Sequence, residues 1–103
     1  MSETGTSQLA DRGHGQCVLS GPLTLAGLPW LWKELETTGL LVNAREADLS
    51  EVQEADSAGL ALLMAWSAHC RQQGGHLVFR GVPQKLLALA RLTGAEAALA
   101  QAG

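Results

Sequence analysis

The chain has 103 residues, of which 47% are apolar, and a formal net charge of −3; this is enough for one domain with a modest core. Its seven Lys and Arg residues are scattered, which excludes the basic face that nucleic acid or anionic lipid requires. No charged region leads into an apolar run at the N-terminus, and the longest apolar stretch, Ala58–Ala68, is too short to span a bilayer, so neither a signal peptide nor direct membrane insertion is expected and the chain reads as cytoplasmic.

Residues 1–6 are small and polar and predict a disordered start, leaving residues 7–103 as a single domain. Ser7–Asp11 predicts a weak edge strand. Arg12-Gly13-His14-Gly15 predicts a turn. Gln16–Ser20 predicts a short strand with Cys17 and Leu19 on one face and Val18 on the other, ended by Gly21-Pro22. A helix follows from Thr24 to Thr38, with Leu25, Leu28, Leu31, Trp32 and Leu35 as its apolar stripe. Pro29 makes its first turn irregular or moves the start to Leu28. Trp32 is expected in the core and Trp30 at the rim. Gly39 suits the position after the last turn.

Leu40–Leu49 alternates weakly, and Ala44–Asp48 favours helix by propensity. The main helix runs from Ser57 to Gln73, where Gly74-Gly75 stops it. Leu77–Arg80 is continuously apolar up to its arginine and reads as a central strand. Pro83 opens a helix that carries Leu86, Leu87, Leu89 and Ala90, passes through Thr93 and ends at Gly94. Glu96–Ala102 can add a further turn or two. Strands alternating with helices imply right-handed crossovers and an α/β fold with parallel strands.

The most informative segment is Asp56-Ser57-Ala58-Gly59. Asp56 or Ser57 can cap the free N–H groups of a helix start. Gly59 lets another backbone approach that turn. On a helical wheel Leu60, Leu63, Met64, Ser67 and Cys70 form one side, suited to a sheet. Leu62, Trp66 and His69 form another, which a small domain does not need for its core. That second side is expected to dock a partner, with Trp66 as anchor. The competing expectation is that another helix of the domain, such as Pro83–Thr93, covers it.

Chemical alternatives are weak. His69 and Cys70 are adjacent, point about 100° apart on a helix and find no completing ligand with His76, so no metal is expected. Asp56 beside Ser57 lacks a nucleophile elbow and is better explained as capping, so no catalytic residue is assigned. Gly13-His14-Gly15 lacks the spacing and lysine of a phosphate loop, and no cofactor is expected. A small anion or nucleotide at the Ser57 helix start stays open. Cys17 and Cys70 are expected as buried thiols more than as a disulfide.

Asp48-Leu49-Ser50, Asp56-Ser57-Ala58-Gly59-Leu60, Gly74-Gly75 and Leu77-Val78-Phe79-Arg80-Gly81-Val82 together resemble the STAS domain family, the fold of bacterial anti-sigma factor antagonists. Leu19-Ser20-Gly21, Leu31-Trp32, Asp56–Leu63, Gln73-Gly74 and Gly81-Val82 resemble its MlaB branch, the small STAS subunits of Mla phospholipid-transport ABC complexes. The resemblance covers about residues 16–99. It implies a mixed sheet with helices mainly on one face, a strand at Glu46–Leu49 against local propensity, and a non-enzymatic role. It also implies a partner, the cytosolic MlaF-like ATPase subunit, and through it an inner-membrane permease complex maintaining outer-membrane lipid asymmetry. The chain would then associate peripherally with the inner membrane. The implied contact residues are Ser57, Ala58 and Gly59, joined by the Leu62, Trp66 and His69 side. In sigma-regulating members the residue before the loop glycine is a phosphorylated serine. Here it is Ala58, which argues against a phospho-switch, although Ser57 beside it stays a possible phosphorylation site.

Overall fold

The computed structural model describes residues 8–95 and Leu99. Strands β1 (Gln8–Gly13), β2 (Gln16–Leu23), β3 (Glu46–Ala55) and β4 (Val78–Arg80) form one sheet in that order. β1 pairs antiparallel with β2, and β2–β3 and β3–β4 are parallel. Helices α1 (Leu28–Thr38) and α2 (Leu40–Asn43) connect β2 to β3, α3 (Ser57–Gln72) connects β3 to β4, and α4 (Gln84–Thr93) follows β4. Cys17, Leu19, Ala47, Leu49 and Phe79 are buried, while their neighbours Gln16, Val18, Glu46, Asp48, Val78 and Arg80 are exposed or half-buried. One sheet face therefore carries the core and the helices, and the other is open. Among the described residues no helix is long and apolar enough to cross a membrane. The expectations for residues 1–6, for Ser7 and for residues 96–102 other than Leu99 lie outside the described residues.

Several boundaries depart from expectation for local reasons. β2 continues through Gly21-Pro22 to buried Leu23. The proline sits where the β2–β3 register shifts, so the donor it lacks falls at an irregularity of the ladder. β3 extends six residues past Leu49 to Ala55. Its buried residues Ala47, Leu49, Val52 and Ala55 fall out of strict alternation because of the same register shifts. α1 starts at Leu28, the later of its two expected starts, with Pro29 in its first turn and a 3-10 turn at Leu25–Gly27 before it. Thr24 makes no capping bond there, and Leu25 leaves the stripe to stand 69% exposed. Gly39, at φ 80°, ends α1 and starts α2, a helical turn hidden in the weakly patterned segment. Pro83 stands just before α4 rather than inside it. β4 is an edge strand, not a central one. Trp30 is at the rim as expected, but Trp32 is only half-buried.

The largest correction concerns α3. Leu60, Leu62, Leu63, Trp66, Ser67 and Cys70 are all buried. At about 100° per residue they form one continuous arc of about 160°, not two separate faces. Leu62 and Trp66 belong to the core, and Met64, assigned to it, is half-buried. The Trp66 ring meets Phe79 edge-on at 6.0 Å between centroids. Its Nε1–H donates to the Leu40 carbonyl at 2.8 Å. α2, not α4, receives this side: Cys70 Sγ lies 3.4 Å from the Leu41 carbonyl and 3.5 Å from that of Ala44. His69 meets Trp32 of α1 edge-on at 5.2 Å.

Trp66→Ala should therefore destabilise the domain by about 3–5 kcal/mol. Trp66→Phe keeps an aromatic ring but removes the indole N–H, leaving the Leu40 carbonyl only the Ala44 N–H at 3.2 Å, and should cost about 0.5–1.5 kcal/mol. Urea unfolding of both variants measures this. Wild-type midpoints would show that Trp66 is not a core residue.

Candidate partner-docking site

Asp56 is the cap of α3. One carboxylate oxygen accepts the Gly59 N–H at 3.0 Å and the other accepts the Leu25 N–H at 3.2 Å. The Asp56 N–H donates to the Leu23 carbonyl at 3.3 Å. The Gly59 N–H, and after it the Leu25 N–H, hold the Asp56 carboxyl below its ordinary 3.8, against an opposing effect of desolvation. Gly59 packs on the end of β2. A side chain there would run into the Leu23 carbonyl oxygen and meet Leu23 Cγ at 3.0 Å. The close approach expected at Gly59 is present.

Ser57 is the first helical residue rather than the cap, and it is exposed. Ala58 is half-buried and Gly59 is buried. His69 is half-buried, with Nδ1 2.9 Å from the Ala65 carbonyl, which makes that nitrogen the donor. Of the expected contact residues, Ser57 and Ala58 thus share a surface at the start of α3. Gly59, Leu62 and Trp66 lie beneath it, and His69 is turned to α1.

The outward surface of α3 is built from residues the wheel reading passed over. Ser57 and Ala61 are exposed, and Met64, Ala65 and Ala68 are half-buried on the same side. From Ser57 through Cys70 the helix contains no Asp, Glu, Lys or Arg. A helix facing water normally carries charge on its outer side. Leu25, tied to Asp56, adds a large exposed apolar side chain beside the helix start, followed by exposed Ala26. The absence of charge over four turns was the available sequence signal.

The described residues at the start of α3 form no hydrogen-bonded pair of nucleophile and base. Ser57 makes no hydrogen bond to a base among the described residues. Cys17 and Cys70 are free and buried. Burial first, then the Asp11 charge, pushes the Cys17 thiol up to about 12. Burial also raises Cys70, against a hydrogen bond to Ala44. Among the described residues no group of three or more His, Cys, Asp or Glu is placed to hold a metal ion.

Asp56→Ala should cost about 0.5–2 kcal/mol of stability, and Ser57→Ala close to nothing, because Ser57 does not cap. Asp56 has its folded pKa below the ordinary 3.8. Its contribution is complete above that pH and fades as pH falls through the lower, folded value. Thermal melts of wild type and Asp56→Ala should therefore converge on acidification. A gap that stays constant down to acid unfolding would contradict the cap.

The family model described as "Mlab, STAS domain" matches residues 8–101. Comparison with curated proteins gives no match. STAS domains are generally interaction domains without catalytic activity. The mixed four-stranded sheet, the capped helix start after β3 and the family match over nearly the whole chain lead to one conclusion: the chain belongs to the STAS domain family, close to its MlaB branch.

Proposed function

We propose that this STAS domain is a non-catalytic subunit that binds the cytosolic ATPase of an Mla-type phospholipid-transport ABC complex and stabilises or activates it. The observation that carries the reading is the charge-free outward side of α3, from Ser57 through Ala61, Met64 and Ala65 to Ala68, with Leu25 beside its start. Small side chains let a partner helix come close, and removing apolar surface from water supplies the driving force. The family match supports an interaction role. Through the ATPase the subunit would sit at the inner membrane beside a permease and serve outer-membrane lipid asymmetry.

The exposed Ser57 hydroxyl favours one second reading, a kinase-regulated switch of the anti-sigma antagonist kind. Stoichiometric phosphate on Ser57 in protein from its native cells would raise that reading above the first.

Ser57→Asp and Ala61→Asp place a charge at exposed positions on the outward side of α3, away from its buried arc. Surface changes of this type move stability by about 0.5 kcal/mol. Both variants should melt close to wild type and lose co-purification with an Mla-type ATPase subunit from the same cells. A buried unpaired charge at an interface should weaken binding by about 2 kcal/mol or more. Well-folded variants that co-purify like wild type would overturn the docking surface.

A further inference from the structure

At the opposite end of α3 three loops close around an open cavity of about 850 Å³. The turn between β1 and β2 contributes His14, the end of α2 and its link to β3 contribute Asn43 and Arg45, and the link from α3 to β4 contributes Gln73 and His76. Among the described residues no carboxylate lines it, although acids outnumber bases in the chain, ten to seven. The nearest acid in sequence, Glu46, is turned away: its Oε2 lies 2.7 Å from Arg80 Nε. Among the described residues Arg45, His14 and His76 make no ion pair.

The backbone holds these loops together. The Gly15 carbonyl accepts the Arg45 N–H at 2.7 Å and the Glu46 N–H at 3.2 Å, and the Arg45 carbonyl accepts the Val78 N–H at 2.9 Å. A side chain at Gly15 would meet Arg45 Cγ at 2.9 Å and the Asn43 carbonyl at 3.1 Å, so the bare glycine lets the arginine stem lie across the turn. The negative end of the α3 dipole points here and opposes an anion. Two of its last four carbonyls are taken up, however. The Cys70 carbonyl accepts the N–H groups of Gln73 and Gly75, and the Arg71 carbonyl accepts that of Gly74.

We infer that this cavity binds a phosphate-bearing small ligand, with the Arg45 guanidinium as its charged anchor and the His14, His76, Asn43 and Gln73 side chains as hydrogen-bond donors. The planar guanidinium fork suits a tetrahedral oxyanion, and the amides and ring N–H groups suit its remaining oxygens. The volume exceeds that of a bare ion and lies within the range of small-molecule pockets. The same phosphate chemistry occurs on soluble organophosphates and on phospholipid headgroups. The inference is independent of ATPase docking, because α3 has 16 residues and separates the two ends by about 24 Å.

Amide chemical shifts of the full chain should be followed on titration with inorganic phosphate, with AMP, and with vesicles of phosphatidylcholine and phosphatidylglycerol. Saturable shifts at residues 14–15, 43–45 and 73–76 are expected with at least one probe. Response to AMP identifies a soluble organophosphate, and response to the vesicles alone identifies a headgroup. Arg45→Ala and Arg45→Lys should each weaken the response about tenfold or more, since neither keeps the fork. Lys33→Ala, which removes one exposed cation from α1, should leave it unchanged. Three results would overturn the inference: shifts that map elsewhere, an Arg45→Ala response equal to wild type, or equal losses in Arg45→Ala and Lys33→Ala.

Discussion

The carbonyl of Leu23 and the first turn of α3 occupy a space too small for any side chain between them. That contact joins the end of β2 to the start of the longest helix. Asp56 completes the junction in three directions: its N–H reaches the same Leu23 carbonyl, one carboxylate oxygen caps Gly59, and the other holds Leu25. A hydrogen-bonded carboxylate at a helix start also suits the helix dipole. Strand end, 3-10 turn and helix start are thereby locked at one point, and the surface around Ser57 takes its shape from that lock.

From this fixed start α3 runs across the sheet with its buried arc centred near Trp66, Cys70 and Leu63, all 0% exposed. Trp66 touches Phe79 of the sheet and bonds to Leu40 of α2, so one side chain joins two layers. The wide arc consumes every large apolar residue of the helix except Met64. Apart from Met64, what remains outside is small, and all of it up to Cys70 is uncharged. Alanines facing water contribute to helix propensity but do little for solubility. An outer side without charge, built of small residues and one methionine, fits a helix that is covered in its working assembly.

Much of this arrangement is legible in the residues because it depends on local stereochemistry. The cap at Asp56, the tight approach at Gly59 and the left-handed glycines after α1 and α4 each follow from what one residue type permits. Non-local features were not legible in that way. The strand at Glu46–Leu49 follows only from the family resemblance, and its continuation to Ala55 is hidden because register shifts against β2, which exist only in the pairing, break its alternation. The Leu62–Trp66 side looked free because a wheel counts apolar residues without knowing what covers them. Its cover, α2, comes from a segment with no periodicity of its own, and the deciding contact is a backbone carbonyl at Leu40. Alanines of the outer side escaped notice for a related reason: their meaning lies in the charges that are missing.

Ser57 brings the electrostatics of the helix start and the docking surface together. An unmodified serine there is neutral, exposed and next to the small residues that would meet a partner. A phosphate at that position would gain little from the helix dipole, because the Asp56 carboxylate already accepts the Gly59 N–H and sits beside it as a like charge. Its main physical effect would fall on the neighbouring apolar surface. Two negative charges and a hydration shell would have to be stripped for Ala61 and Leu25 to make contact, a cost of several kcal/mol on the scale of buried unpaired charge. At this helix start a phosphate therefore acts against docking and scarcely alters the fold. Asp56 sets both outcomes, since it holds the backbone donors that a phosphate would otherwise seek.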